Sequence, residues 1–206
     1  MLQRRGRDSN PRWTVRPTTV FETAPFNRSG TPPRTSKASH TSASVIVRDA
    51  TAEDWPAIWS FMSQIVAAGD TFTYDEAMTE AGARAMWLMP PPDRTVVAVD
   101  DDGTVLGSGN YHRNRPGPGS HVSSANFMVD PAHWGKGVGR TLCEEALDWA
   151  KRQGYRAMQF NAVAGSNTRA ISLYESLGFE TVGTVPEAFK HPTLGYVGLC
   201  VMYRRL

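Results

Sequence analysis

The chain has 206 residues, 40% of them hydrophobic, which suits one domain with a sizeable core and leaves no room for two full domains and a linker. Its formal charge of +2 hides an asymmetry, because residues 1–44 hold eight basic residues against two acidic ones while the remainder holds 14 against 18. No run reaches the roughly 18 apolar residues of a membrane helix, no signal-like apolar stretch opens the chain, and Cys143 and Cys200 lie outside any CxxC or Cys/His cluster. A soluble cytoplasmic protein without a metal is expected.

Residues 1–44 are rich in Arg, Ser, Thr and Pro with no helical or alternating period, so they read as a disordered basic extension. They lack the aromatic interleaving of a single-strand binder, and neither nucleic acid nor a membrane is expected as a partner. Folded-looking sequence begins abruptly at Ser44 to Val47, which leaves a start codon assigned too far upstream as a second reading. The domain is therefore placed at residues 45–206.

Residues 45–49 alternate and are β-branched, which predicts a strand. Thr51 with Asp54 three residues on is a helix start, and Trp55, Ile58, Trp59, Met62, Ile65 and Val66 form one apolar stripe that Gly69 terminates. Asp75 to Leu88 is predicted helical from its Ala, Glu and Met content, ending before three prolines. Thr95 to Val99 and Thr104 to His112 flank Asp100-Asp101-Asp102-Gly103, a hairpin signal. After the loop at 115–119, strands are predicted at Val122–Val129, Arg156–Val163, Phe179–Val185 and Tyr196–Tyr203. Helices are predicted at Gly139–Gln153 and from the Ser166-Asn167 cap to Leu177, with Gly178 as the stop. A hairpin run followed by strands alternating with helices implies an α/β (α+β) fold: a mixed, mostly antiparallel sheet with helices on both faces.

The most informative segment is the strand end at Val129-Asp130-Pro131 followed by Gly135-x-Gly137-x-Gly139 and an amphipathic helix. Glycines let a ligand approach the backbone, and the first helical N–H groups have no partners within the helix and carry the positive end of its dipole. Phosphate oxygens fit such a place, and Lys136 and Arg140 add charge beside it. The dinucleotide fingerprint fails because Leu142 stands where its third glycine belongs, and GxxxxGK[ST] is absent.

The run Asn126 to Arg140 (NFMVDPAHWGKGVGR) resembles the strand-turn-helix that binds the CoA pyrophosphate in the GNAT superfamily of N-acetyltransferases. Asn167 to Phe179 (NTRAISLYESLGF) is similar to that family's downstream Nx2Ax3Yx3GF segment. The resemblance spans roughly residues 45 to 206 and implies a GNAT-like sheet, acetyl-CoA as cosubstrate and a small-molecule amine as acceptor. It implies cofactor contacts at Trp134, Gly135, Lys136, Gly137, Val138, Gly139, Arg140, Asn167 and Ala170. Trp134 departs from the pattern, since relatives carry Arg or Gln there.

Acyl transfer from a thioester to an amine requires a neutral amine, a donor to the developing oxyanion and a proton for the leaving thiolate. The resemblance places Tyr174 near the CoA sulfur as general acid and a backbone N–H of Met128 or Val129 at the oxyanion. Around Phe127 and Phe160 two strands are expected to splay, so that the pantetheine chain adds to an open sheet edge. The proton acceptor is not evident, because the stretch His121 to Phe127 has no carboxylate where many relatives carry Glu. Water polarised by Ser124, Asn126 or Asn161, the carboxylates of Asp70, Asp75 or Glu76, His121, and bulk water all remain open. Phe72 and Tyr74 are expected to line the acceptor wall. Phe160 to Val163 followed by Asn167 is similar to enzymes that acetylate cyclic imino acids and small amino-acid-like toxins. A homodimer through the final strands is a further expectation of the family.

Overall fold

β-Branched alternation forms the first strand at Ile46–Asp49 (β1), and the computed structural model describes residues 44–206, so the expectation for the basic N-terminal stretch lies outside the described residues. A short 3-10 turn then leads into Trp55–Ala68 (α1). Its start is fixed by Asp54, whose carboxylate accepts from the Thr51 N–H at 2.8 Å and from both Arg48 guanidinium nitrogens at 2.7 Å. Its end is Gly69 at φ 61°, the left-handed residue that closes a helix at little cost when it has no Cβ.

The second helix is shorter than its composition predicts, Glu80–Trp87 (α2) rather than Asp75–Leu88. Asp75 to Met78 instead close a turn, the Met78 N–H donating to the Asp75 carbonyl at 2.9 Å, and the Thr79 hydroxyl caps α2 by accepting from the Gly82 N–H at 3.2 Å. Arg94–Val99 (β2) and Val105–Arg113 (β3) form the predicted hairpin, its turn held by the Asp100 carboxylate, which accepts from the N–H groups of Asp102 and Thr104. Then follow Val122–Val129 (β4), Val138–Arg152 (α3), Ala157–Ala164 (β5), Thr168–Ser176 (α4), Glu180–His191 (β6) and Gly195–Arg205 (β7). β6 runs past its expected end at Val185 because the strand absorbs Pro186 and Glu187 as a bulge opposite β7, with Glu187 at φ 53°.

The sheet order is β1-β2-β3-β4-β5-β7-β6, antiparallel throughout except for the β4–β5 pair. One face packs Trp55, Ile58, Met62 and Trp87 of α1 and α2 against Val97 and Met128. The other packs Leu142, Ala146 and Trp149 of α3 against Val96, Tyr111 and Met158, with Ile171 and Tyr174 of α4 at its margin. Helices thus cover both faces, as the element order implies. Among the described residues no helix is long and apolar enough to cross a membrane.

Arg48 beside Asp54 holds its carboxyl at about 2, below the ordinary carboxylate value, so the folded state favours the ionised form. That contribution is complete above the unfolded value of about 4 and disappears as pH falls through about 2. Asp54→Asn should therefore lower stability by about 1–2 kcal/mol at pH 7, with the gap to wild type closing between about pH 5 and pH 2. Urea unfolding across that pH series checks it.

Candidate active site

β4 and β5 pair only at Val122 with Ala157 and Ser123 with Met158, after which the two strands part. The β3–β4 ladder sets what faces the opening. The Asp130 N–H donates to the Leu106 carbonyl and the Asn114 N–H to the Val122 carbonyl, so even-numbered β4 residues bond β3 and odd-numbered ones turn their backbone toward β5. Phe127 and Val129 thus direct N–H groups at the gap. Met128, one of the two oxyanion donors expected from the sequence, does not: its backbone belongs to the ladder opposite Ser108, and its side chain is buried under α1.

Beyond Val129 the chain makes a 3-10 turn and enters the glycine segment. Gly135 at φ 80° and Gly137 at φ 83° are both left-handed, and a Cβ on either would meet no atom within 4 Å. Gly137 is the N-cap of α3, so the first N–H groups of a 15-residue helix open toward this space. Trp134 donates its indole N–H to the Val129 carbonyl at 3.1 Å and carries the Arg169 guanidinium 5.2 Å from its ring centroid. The guanidinium of Arg140 is engaged by Ser176 at 2.7 Å and Glu144 at 3.5 Å.

On the α3/α4 side an aromatic cluster fixes Tyr174. Its ring lies 4.5 Å from Phe160 and 6.4 Å from Phe127, while Phe160 stacks on Phe179 at 4.4 Å. Burial pushes the Tyr174 phenol well above its ordinary value, so the hydroxyl keeps its proton at working pH. On the α1/α2 side a polar stripe runs across β3 and β4, with His112 opposite Ser124 and Asn110 opposite Asn126. The Asn126 amide donates to Asn110 at 2.8 Å. Phe72 and Tyr74 stack at 5.2 Å in the α1–α2 loop, and burial raises the Tyr74 phenol to about 12.

One cavity of about 900 Å³ joins the two sides through the β4–β5 gap. The glycine turn, Trp134, Val138, Arg140, Asn167, Ala170 and Tyr174 line one end, and Phe72, Tyr74, Ser124, Asn126 and Asn161 line the other. Lys136 is exposed and stays off the wall. Of the residues weighed as proton acceptors, Asp70 lines the cavity, whereas Asp75, Glu76 and His121 do not. Asn161 sits at a bulge in β5, one extra residue opposite β7, with its amide tied to Asn114 at 2.7 Å and Gln159 at 2.8 Å. Asn167 caps α4 through its side-chain oxygen, which accepts from the Ala170 N–H at 3.1 Å. Sequence reasoning passed over His112, Ser166, Arg169 and His191, which also line the cavity. For His112 a signal existed: Ser108, Asn110 and His112 put polar groups at every second position of a central strand, against the usual buried pattern.

Residues 55–179 match the Acetyltransferase (GNAT) family. The chain belongs to this family. It is similar to a GCN5-related N-acetyltransferase from Kribbella flavida, 58% identical with a TM-score of 0.77, over 79% of this chain and 98% of that one. It is 30% identical to an N-acetyltransferase of Schizosaccharomyces pombe over 62% of this chain and 68% of the relative. A methionine sulfoximine/methionine sulfone acetyltransferase of Pseudomonas aeruginosa is also 30% identical, over 70% of this chain and 85% of its own length.

The chain is thus a GNAT acetyltransferase, and acetyl-CoA is the acetyl donor of that family. The cavity fits such a ligand on three observations. Open space stands over Gly135 and Gly137, backbone N–H groups of β4 face the gap, and the buried Ser166 hydroxyl on the cavity wall has no hydrogen-bond partner among the described residues. The first would receive a pyrophosphate, the others an amide chain.

Proposed function

We propose that the chain moves the acetyl group of acetyl-CoA directly to the amine of a small amino or imino acid bound in the same complex. The observation that carries this reading is the continuity of the cavity from the glycine turn, through the strand gap, to a polar and aromatic wall on the opposite face. In it the α3 N-terminus and Gly135, Gly137 and Gly139 hold the pyrophosphate, while Asn167 and Ala170 flank the pantetheine arm. Phe127 and Val129 offer N–H groups where the carbonyl oxygen gains charge, which lowers the barrier most when the donors are fixed beforehand. Tyr174, kept protonated by burial, gives its proton to the departing sulfur.

The acceptor end supports a small zwitterion. Phe72 and Tyr74 offer flat apolar contact, Asn126 and Asn161 offer amides for a carboxylate, and Asp70 offers charge for an ammonium. The acceptors in the name of the P. aeruginosa relative, methionine sulfoximine and methionine sulfone, are of this class. Two buried free cysteines suit a reducing cytoplasm. The exposed Val182, Val185, Leu194 and Tyr196 of the β6–β7 hairpin support a second copy of the chain as the partner along that edge.

A thiol-release screen with acetyl-CoA should give turnover with amino or imino acids and none with polyamines or aminoglycosides; tight acetyl-CoA binding without turnover of any amine would sink the reading. Tyr174→Phe should lower kcat by roughly 10²-fold with little change in acetyl-CoA affinity, and a near wild-type rate would remove it as the acid. Gly137→Val places a Cβ at φ 83° in the pyrophosphate space, and should weaken acetyl-CoA binding by calorimetry more than tenfold, roughly 1.4 kcal/mol or more.

A further inference from the structure

Resting on the acetyl-transfer reading above, we propose that His112 is the general base that removes the proton from the acceptor ammonium. The imidazole stands on β3 directly opposite Ser124, on the face of the sheet that carries the acceptor end of the cavity, and it lines that cavity. Its Nδ1 lies 3.0 Å from the Arg113 carbonyl oxygen. A carbonyl only accepts, so Nδ1 carries the ring hydrogen and Nε2 keeps its lone pair. A histidine held this way is oriented by its backbone partner and basic at the opposite nitrogen.

Among the described residues, the other histidines fail on geometry. His191 also lines the cavity, but its Nδ1 accepts from the N–H groups of Thr193 and Leu194, both at 3.2 Å. Those donors put the hydrogen on Nε2, so His191 is a donor to a bound acceptor and gaining a second proton would set Nδ1–H against two N–H groups. His121 donates to the Pro118 carbonyl on an exposed loop away from the cavity. His133 lies 3.2 Å from the Asp130 carboxylate at the glycine-turn end. The groups that share the acceptor end with His112 are Asp70 and Tyr74 from the α1–α2 loop and His191 from β6, with Arg113 adjacent on its own strand. Burial holds the Tyr74 phenol in its protonated form. An imidazole is the side chain that changes charge between pH 5 and 8.

The steps balance. His112 Nε2 takes one proton from the ammonium, and the freed nitrogen forms the C–N bond to the acetyl carbon as the C–S bond breaks. Sulfur takes the Tyr174 proton, the nitrogen's second proton restores Tyr174, and His112 returns its own to solvent, so one proton is released per turnover. Ser124, directly across the strand pair from His112, lines the same cavity.

The test uses the full chain with an acceptor that wild type turns over. His112→Ala and His112→Gln should each lose tenfold or more in kcat/KM at neutral pH and lose the rising limb of the wild-type pH profile, with acetyl-CoA affinity within about twofold. Added imidazole, or Ser124→Glu in the His112→Ala background, should restore part of the rate. Variants with wild-type rate and profile overturn the proposal, and so does an even loss at every pH with neither rescue, which marks a structural role. Nitrogen NMR of wild type should find His112 protonated at Nδ1 when neutral; the Nε2–H form overturns it whether or not an acceptor is known. Absence of turnover by wild type with every amine defeats the acetyl-transfer reading itself, an outcome distinct from failure of the variants.

Discussion

Two registers of parallel pairing between β4 and β5 govern everything else in this molecule. Had the ladder continued, the sheet would be closed and the cavity absent. The aromatic rings of Phe127, Phe160, Tyr174 and Phe179 cluster beside the gap on the α3/α4 face, with ring centroids 4.4 to 6.4 Å apart. The anchor at the closed end is polar: the buried Ser123 hydroxyl donates to the Ala157 carbonyl at 3.1 Å. β5 keeps its place through its long antiparallel ladder with β7 rather than through β4. Each side of the gap is therefore held by a ladder to another strand, β4 by β3 and β5 by β7. The gap leaves N–H and C=O groups of β4 without strand partners, and a buried group of that kind costs about 1–3 kcal/mol until something bonds it. A ligand that presents amides along its length regains that energy.

The same gap separates the chemistry into two faces. Alternation along β4 sends the side chains of Phe127 and Val129 toward α3 and α4, and those of Ser124, Asn126 and Met128 toward α1 and α2. A strand that passes between two groups of helices thus serves both with one stretch of sequence. The α3/α4 side supplies the helix N-terminus and the protonated tyrosine, while the α1/α2 side supplies neutral amides, stacked aromatics and imidazole. The two sides meet where the strands part, which in the proposed reaction is where the two bound molecules would be joined.

Local chemistry was legible in the sequence, and pairing was not. Thr51 with Asp54, Gly69, the Asp100–Gly103 turn, and Asn167 with Gly178 act within a few residues of themselves, and each marks the boundary expected of it. The second helix was overextended because Asp75 to Met78 have helical composition but form a turn, and the Thr79 hydroxyl decides the start. β6 continues beyond Val185, the expected end, because an outer strand tolerates Pro186 within a bulge. In the site, the contiguous segments around Gly137 and Tyr174 were found as motifs. His112 and His191 were not, because what brings them to the cavity is the register of β3 on β4 and the length of β6, both set by contacts distant in sequence. The choice of Val129 over Met128 as a free N–H likewise needs the parity of the ladder.

Trp134 shows how a departure from a family pattern is absorbed by neighbours. An Arg or Gln at this place would extend over the turn; the indole instead folds back and caps the last carbonyl of β4 at 3.1 Å, closing a strand end that has no β5 partner. Its outward face then holds the Arg169 guanidinium, an interaction worth about 0.5–1 kcal/mol at an exposed site. A positive charge is thereby set beside the turn from α4 rather than from the turn itself, alongside an Arg140 whose nitrogens are already engaged by Ser176 and Glu144. The Trp134–Arg169 contact also ties the start of α4 to the end of β4, the two elements that flank the gap. The indole and the guanidinium together link the glycine turn to the start of α4.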